Sequence, residues 1–148
     1  MPRLYHSTSL LLPDATVLTA GGTTPGYDSE ALTGEIYRPA YLYDESGNLA
    51  ERPTITSDQS IVDWNQTMSA TVANNTKIDR VSLVGFGAVT HSYDMGQRFM
   101  ELDFTQSGDR LTISTPTSAN VAPPGYYMVF AFDEHGVPSE AHIVQFVA

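Results

Sequence analysis

Histidine and tyrosine carry most of the chemistry open to this chain of 148 residues. It has four histidines, His6, His91, His135 and His142, eight tyrosines and no cysteine. Imidazole nitrogen and phenolate oxygen without sulfur form a donor set suited to Cu(II) or Zn(II). Copper gains from imidazoles in a tetragonal plane, and a phenolate suits a site where one-electron oxidation is wanted. Tyr5-His6 stands at the head of the first strand signal, and His91 ends another in Val89-Thr90-His91-Ser92-Tyr93-Asp94. Neighbours on a strand point to opposite faces, so a shared site for Tyr5 and His6 requires the alternation to relax at a strand end or loop. His135 lies in the turn Asp133-Glu134-His135-Gly136, where a solvated side chain is expected, and His142 in the last strand has the features of a structural residue.

Other catalytic templates are missing. Without cysteine there is no disulfide, thiolate site or thiol nucleophile. No G-x-S-x-G elbow and no G-x-x-x-x-G-K phosphate loop occurs. Gly85-Phe86-Gly87 falls inside a strand pattern, where glycines mark a bulge or a close approach. Asp133 and Glu134 share a turn and read as solvated. Asn65-Gln66-Thr67 fits the glycosylation acceptor pattern, and Asn75-Thr76-Lys77 does not. Seven Lys and Arg against 17 Asp and Glu give a net charge of −10. This argues against a nucleic-acid partner and, with Lys77 the one lysine, against attraction to anionic membranes. No run of 18 apolar residues suggests a transmembrane helix, and the opening MPRLYHSTSLLLPD lacks the apolar stretch of a signal peptide.

The elements that would position these groups read as β throughout. Ser60–Met68 is the one segment with a helical pattern. Strand signals fall at Leu4–Leu12 and Thr16–Ala20, reversed at Pro13-Asp14-Ala15 and ending in Gly21-Gly22. Residues 23–34 read as a loop. Glu35–Tyr43, interrupted by Pro39, is an edge strand at best. After the turn Asp44–Asn48, short strands follow at Thr54–Thr56, Thr67–Val72, Arg80–Val84, Ala88–Thr90, Gln97–Thr105, Arg110–Ser114, Tyr126–Phe132 and Glu140–Val147, with Gln106–Asp109 a hairpin turn. Tyr126–Phe132 (YYMVFAF) is nearly continuous apolar, as in a strand buried on both faces, and its aromatics are expected in the core. The pattern predicts an all-β chain: an immunoglobulin-like β-sandwich over 49–148, preceded in 1–48 by a partial sheet that needs a partner.

Five ordered blocks carry a resemblance. They are Arg3–Asp14 (RLYHSTSLLLPD), Glu35–Tyr43 (EIYRPAYLY), Asn48–Pro53 (NLAERP), Ala88–Arg98 (AVTHSYDMGQR) and Ala122–Phe130 (APPGYYMVF), closed by Gly136–Ser139 (GVPS). Over essentially its whole length the chain resembles the C-terminal part of the galactose oxidase and glyoxal oxidase family, the copper radical oxidases. The resemblance implies that 1–48 are the last strands of a kelch-type propeller. It also implies that 49–148 are the immunoglobulin-like domain beneath it, a loop of which delivers a histidine to copper. By the match, Tyr5 corresponds to the axial tyrosine, which is both a copper ligand and the acceptor of the substrate proton. His6 and His91 correspond to the two histidine ligands. The family oxidises a primary alcohol or aldehyde and reduces O2 to hydrogen peroxide, using a second tyrosine cross-linked to a cysteine. This chain has no cysteine for that cross-link, so the expectation is a C-terminal portion, inactive alone, whose partner is the missing N-terminal propeller of a secreted parent.

A competing reading is a free-standing, non-catalytic immunoglobulin-like module for interaction or carbohydrate binding. A sugar-binding face needs exposed aromatics, so the exposure of Tyr27, Tyr41 and Trp64 discriminates. Without the propeller, an apolar face is expected to be exposed and to favour self-association.

Overall fold

The computed structural model describes residues 3–23, 26, 31–91 and 93–147. Tyr27 lies outside them. Fourteen strands run in chain order with two single-turn 3-10 segments, at Ala40–Leu42 and Ala73–Asn75, and no α-helix among the described residues.

Strands β1 (Ser7–Leu11), β2 (Val17–Gly21) and β3 (Gly34–Tyr37) form an antiparallel sheet in that order. The reversal between β1 and β2 is chemically specified. Asp14 accepts from the Thr16 backbone N–H at 3.0 Å and the Thr16 hydroxyl at 2.6 Å, and Ala15 turns with φ 62°. Burial pushes the Asp14 carboxyl up, but the Thr16 hydrogen bonds and the Arg52 guanidinium outweigh it and hold it below its ordinary value. β3 stops before Pro39, and Ala40–Leu42 follows as a 3-10 turn rather than the continued strand expected to Tyr43.

Two further sheets make the sandwich. β4 (Ile55–Thr56), β6 (Thr67–Val72), β11 (Phe104–Ser107) and β12 (Arg110–Ser114) form one in the order β11-β12-β6-β4. β5 (Ile61–Val62), β7 (Ile78–Gly85), β10 (Phe99–Leu102), β13 (Gly125–Asp133) and β14 (His142–Phe146) form the other in the order β10-β7-β13-β14-β5. The helix expected at Ser60–Met68 is absent. That segment gives β5, a turn at Trp64-Asn65 and the start of β6, where Met68, Ala70 and Val72 are buried in period two. The single strand expected over Gln97–Thr105 is two strands. The chain leaves one sheet after Leu102 and enters the other at Phe104, with the Asp103 carbonyl accepting from Ser114 N–H at 2.8 Å. The poor alternation of Phe99, Leu102 and Phe104 has its cause in this crossing.

Between the two sheets lies a core that includes Leu83, Leu111, Ile113, Val129, Val144 and Phe146, each at 1% exposure or less. β13 is covered on both faces, as its composition suggests. Tyr127, Val129 and Ala131 face this core, whereas Met128 and Phe130 face outward and pack with Ala15 and Leu42 of the N-terminal segment. Tyr126 departs from expectation. It stands 57% exposed near the start of β13, past the edge of that cover.

Candidate metal centre

β1 is preceded by a tight turn, with the Ser7 N–H donating to the Leu4 carbonyl at 3.1 Å. Within that turn His6 has φ 65°, a left-handed value that few residues other than Gly adopt and that Asn, Asp and His tolerate best. That backbone breaks the strand alternation. The Tyr5 and His6 rings, instead of facing apart, stack with centroids 3.9 Å apart. Thr23 holds Leu4 and Tyr5 by backbone hydrogen bonds of 3.1 and 2.9 Å. A Cβ at Gly22 would come within 3.0 Å of Ser7 Cβ, so the pairing needs a glycine there. Arg3 lies almost fully under this turn and donates to the carbonyls of Gly21 and Thr33 at 3.1 and 2.9 Å.

His91 arrives from the sandwich. The hairpin of β7 and β10 stays paired to Gly85 N–H and the Arg98 carbonyl, 2.8 Å apart, and then throws out a long excursion. Inside it, β8 (Val89–Thr90) and β9 (Tyr93–Asp94) form a two-stranded ribbon, and β8 runs against β1. His91, also left-handed at φ 52°, follows β8 at the ribbon's tip. Its ring lies 5.2 Å from that of His6 and 5.6 Å from that of Tyr5. The three side chains singled out from the sequence thus meet, although 85 residues separate His6 from His91, and all three are exposed.

Several supporting residues were not legible beforehand. Asp94 accepts from the backbone N–H groups of Ala88 and Gly96, each at 2.8 Å, and so closes the base of the ribbon. A Cβ on Gly96 would sit 2.5 Å from the Phe86 carbonyl oxygen, and one on Gly87 2.6 Å from Leu10 Cδ2. The reading of Gly87 as a close approach therefore holds. Thr90 Oγ1 and His91 Nδ1 are 2.8 Å apart. When Nδ1–H donates to that hydroxyl, Nε2 keeps its lone pair and the ring is oriented, an arrangement usual for metal-ligating histidines. Among the described residues no group of three or more His, Asp and Glu side chains is placed to hold a metal ion. Two imidazoles and a phenol with an open side make a donor set that fits Cu(II) better than Ca(II) or Mg(II).

The other candidates are structural. His142 Nε2 donates to the Gln59 carbonyl at 2.8 Å. His135 is exposed in its turn, where Asp133 accepts from the N–H groups of His135 and Val137, both at 2.9 Å. Trp64 is partly buried, with its indole N–H donating to Ala122 at 2.7 Å, and Tyr41 donates its hydroxyl to Ala15 at 2.8 Å. By exposure the two divide: Tyr41 is 41% exposed although its hydroxyl is held by Ala15, whereas Trp64 is only partly exposed.

Residues 52–146 match the family model of the galactose oxidase-like early set domain. The chain belongs to the galactose oxidase-like early set family. It is 38% identical over 147 residues to a galactose oxidase of Gibberella zeae, covering 97% of this chain and 21% of that protein. It is 33% identical over 162 residues to the aldehyde oxidase GLOX of Vitis pseudoreticulata, covering 99% and 30%. The solved structure of a fungal alcohol oxidase in complex with copper superposes with a TM-score of 0.90 at 33% identity, covering 100% of this chain and 32% of that one. The early set chain thus spans a third or less of the length of these relatives and corresponds to their C-terminal part.

Proposed function

We propose that this chain is the C-terminal part of a secreted copper radical oxidase, in which Tyr5, His6 and His91 are ligands and Tyr5 also receives the substrate's proton. The observation that carries this reading is the convergence of those three rings from two separately built parts of the fold, with centroids 3.9 to 5.6 Å apart. Bound copper would supply one redox equivalent and a Lewis acid for a primary alcohol or aldehyde oxygen, with O2 as terminal oxidant. The residues of this chain would hold that group. His6 and the Thr90-oriented His91 would contribute ring nitrogens. Tyr5 contributes the phenol oxygen, and its exposure leaves room for a substrate hydroxyl beside it. The chain has no cysteine for the tyrosine–cysteine cross-link; in this reading residues 1–48 are the end of a kelch propeller, and the rest of that propeller supplies the second redox group.

The exposed surface supports such a partner. Phe99, Val84, Met128 and Ile143 form one cross-strand row on the outer face of the five-stranded sheet. Met128 is covered by the N-terminal segment, but Phe99 is 59% and Ile143 41% exposed, and Phe86 and Tyr126 stand beside them. These exposed apolar side chains flank the covered Met128 and favour self-association of the isolated chain.

The test is a Cu(II) titration of the purified chain, read by electron paramagnetic resonance, together with a peroxide assay on galactose and methylglyoxal. The wild type should bind copper with nitrogen hyperfine structure that His6→Ala or His91→Ala reduces, and should produce no peroxide. Unchanged Cu(II) affinity in His91→Ala would remove the shared site, and turnover at enzyme-like rates would remove the need for the propeller.

A further inference from the structure

We propose that Asn74 is an acceptor site for an N-linked glycan, placed at the end of the sandwich away from the candidate metal centre. Asn74-Asn75-Thr76 satisfies the N-x-Thr pattern one residue ahead of the triplet Asn75-Thr76-Lys77, which fails it. The second sequon, Asn65-Gln66-Thr67, provides an internal comparison.

The fold sets the two apart. Asn74 occupies the apex of the turn between β6 and β7, with φ 56° followed by φ 52° at Asn75, and it is exposed. The turn beneath it is braced. Gln106 donates from Nε2 to the Thr76 carbonyl at 2.9 Å and accepts from Ile78 N–H at 2.9 Å, while Val72 N–H donates to Asp109 at 2.6 Å. The Thr76 hydroxyl closes the same turn on the Ala73 carbonyl at 3.0 Å. A bulky, hydrated substituent on Asn74 therefore extends from a fixed tip into solvent and displaces no apolar contact. β7 starts at Ile78, beside this turn, and ends at Gly85, where the excursion to His91 begins, so about 23 Å of strand separates the two ends. Asn65 precedes Thr67, at the end of β6 that lies toward Gly85. It borders a cleft lined by Met100, Leu102 and Val121, so a glycan there would lie against apolar side chains.

The chemistry is a transfer from a polyprenyl-diphosphate-linked oligosaccharide. The Asn74 Nδ2–C1 bond forms as the C1–oxygen bond to the diphosphate breaks. The lipid diphosphate leaves with the electron pair, the amide gives up one proton, and nothing is oxidised. The inference rests on the secreted-parent part of the reading above and not on copper, so a chain that fails to bind copper leaves it standing.

To test it, the full chain is secreted from a yeast host behind a cleavable leader, and the protein in the medium is treated with peptide N-glycosidase. Wild type should lose an oligosaccharide mass, with Asn74 converted to Asp in the released peptide. Asn65→Gln should still show the Asn74 conversion; Asn74→Gln and Thr76→Ala should not. Cu(II) affinity should be the same before and after deglycosylation. Secreted wild type unmodified at Asn74 overturns the proposal, and a tenfold gain in Cu(II) affinity on glycan removal overturns the placement. Should Asn74→Gln fail to be secreted, peptide mapping of wild type and Thr76→Ala decides the same question.

Discussion

The sandwich and the N-terminal sheet are stabilised in different ways. The sandwich hides its own core between two sheets, with Val72, Leu111, Ile113 and Val129 at zero exposure. The N-terminal sheet has none: every residue of β1 and β2 is partly or fully exposed, and β3 is exposed throughout. Its buried residues belong to its connections, and two of them, Ala15 and Leu42, lie on the outer face of β13. Arg52 ties the same joint. Its guanidinium donates to the carbonyls of Pro138, Asp14 and Ser139 at 2.8, 2.8 and 2.6 Å, and the Ala141 N–H donates to Pro13. The candidate site is divided between a part that folds on its own contacts and a part that borrows them. Tyr5 and His6 stand on the borrowing side, so docking of the N-terminal sheet governs whether a metal site exists at all.

Breaking the joint at β13 gives the largest effect. Phe130→Ala removes the side chain on which the N-terminal segment rests, and loss of a buried Phe costs about 3–5 kcal/mol. Thermal unfolding should shift strongly downward, and limited proteolysis at temperatures below the transition should cut within 1–48 first. If the sandwich and the N-terminal sheet instead resist protease equally, the dependence described here is wrong. Arg52→Ala removes three charge-assisted hydrogen bonds at the rim of the same joint, for about 2 kcal/mol. Hydrogen exchange should rise in β1 and β2 while β7 and β13 keep their protection, and Cu(II) affinity should fall with the docking.

The same division explains what could be read from the sequence. Strand periodicity located β6 and β12 because Met68, Ala70 and Val72, or Leu111 and Ile113, alternate against polar neighbours on one core, and β13 was located by its nearly continuous apolar run. Tyr5, His6 and His91 were nameable from residue type and from the five ordered blocks. Their convergence was expected from the resemblance alone; strand spacing argued against it, because it depends on left-handed backbone at His6 and His91, which periodicity does not encode. The Ser60–Met68 helix failed because Asp63, Trp64 and Asn65 form a turn whose partners, Pro116 and Ala122, are some fifty residues away. Asp94 and Gly96 were invisible as supports because their roles are contacts with Ala88 and Phe86 across the excursion.

On the sandwich side of the site, Gly96→Ala places a methyl carbon where the Phe86 carbonyl oxygen now lies 2.5 Å away, so the base of the ribbon must shift. The cost to the fold is about 1 kcal/mol, since the excursion carries little of the core. Cu(II) affinity should nonetheless fall roughly tenfold, the order found when groups that orient a ligand are disturbed. Equal loss of stability and affinity would mean that the ribbon belongs to the core rather than standing out from it.

The smallest effect lies at the reversal that docks the N-terminal sheet. The Asp14 carboxyl is held below its ordinary value of 3.8 because Thr16 and Arg52 outweigh its burial. A lowered folded value contributes stability that is complete above the unfolded value and is lost as pH falls through the folded one. Wild type should therefore lose stability below about pH 3.8 more steeply than Asp14→Asn, whose amide cannot be protonated in that range. At pH 7 the two should differ by a fraction of a kcal/mol, because most of the carboxylate is solvated and its attraction to Arg52 is screened. The acid-induced loss should appear first as exchange in β1 and β2, ahead of β13, since Asp14 sits on the part of the molecule that lacks a core of its own.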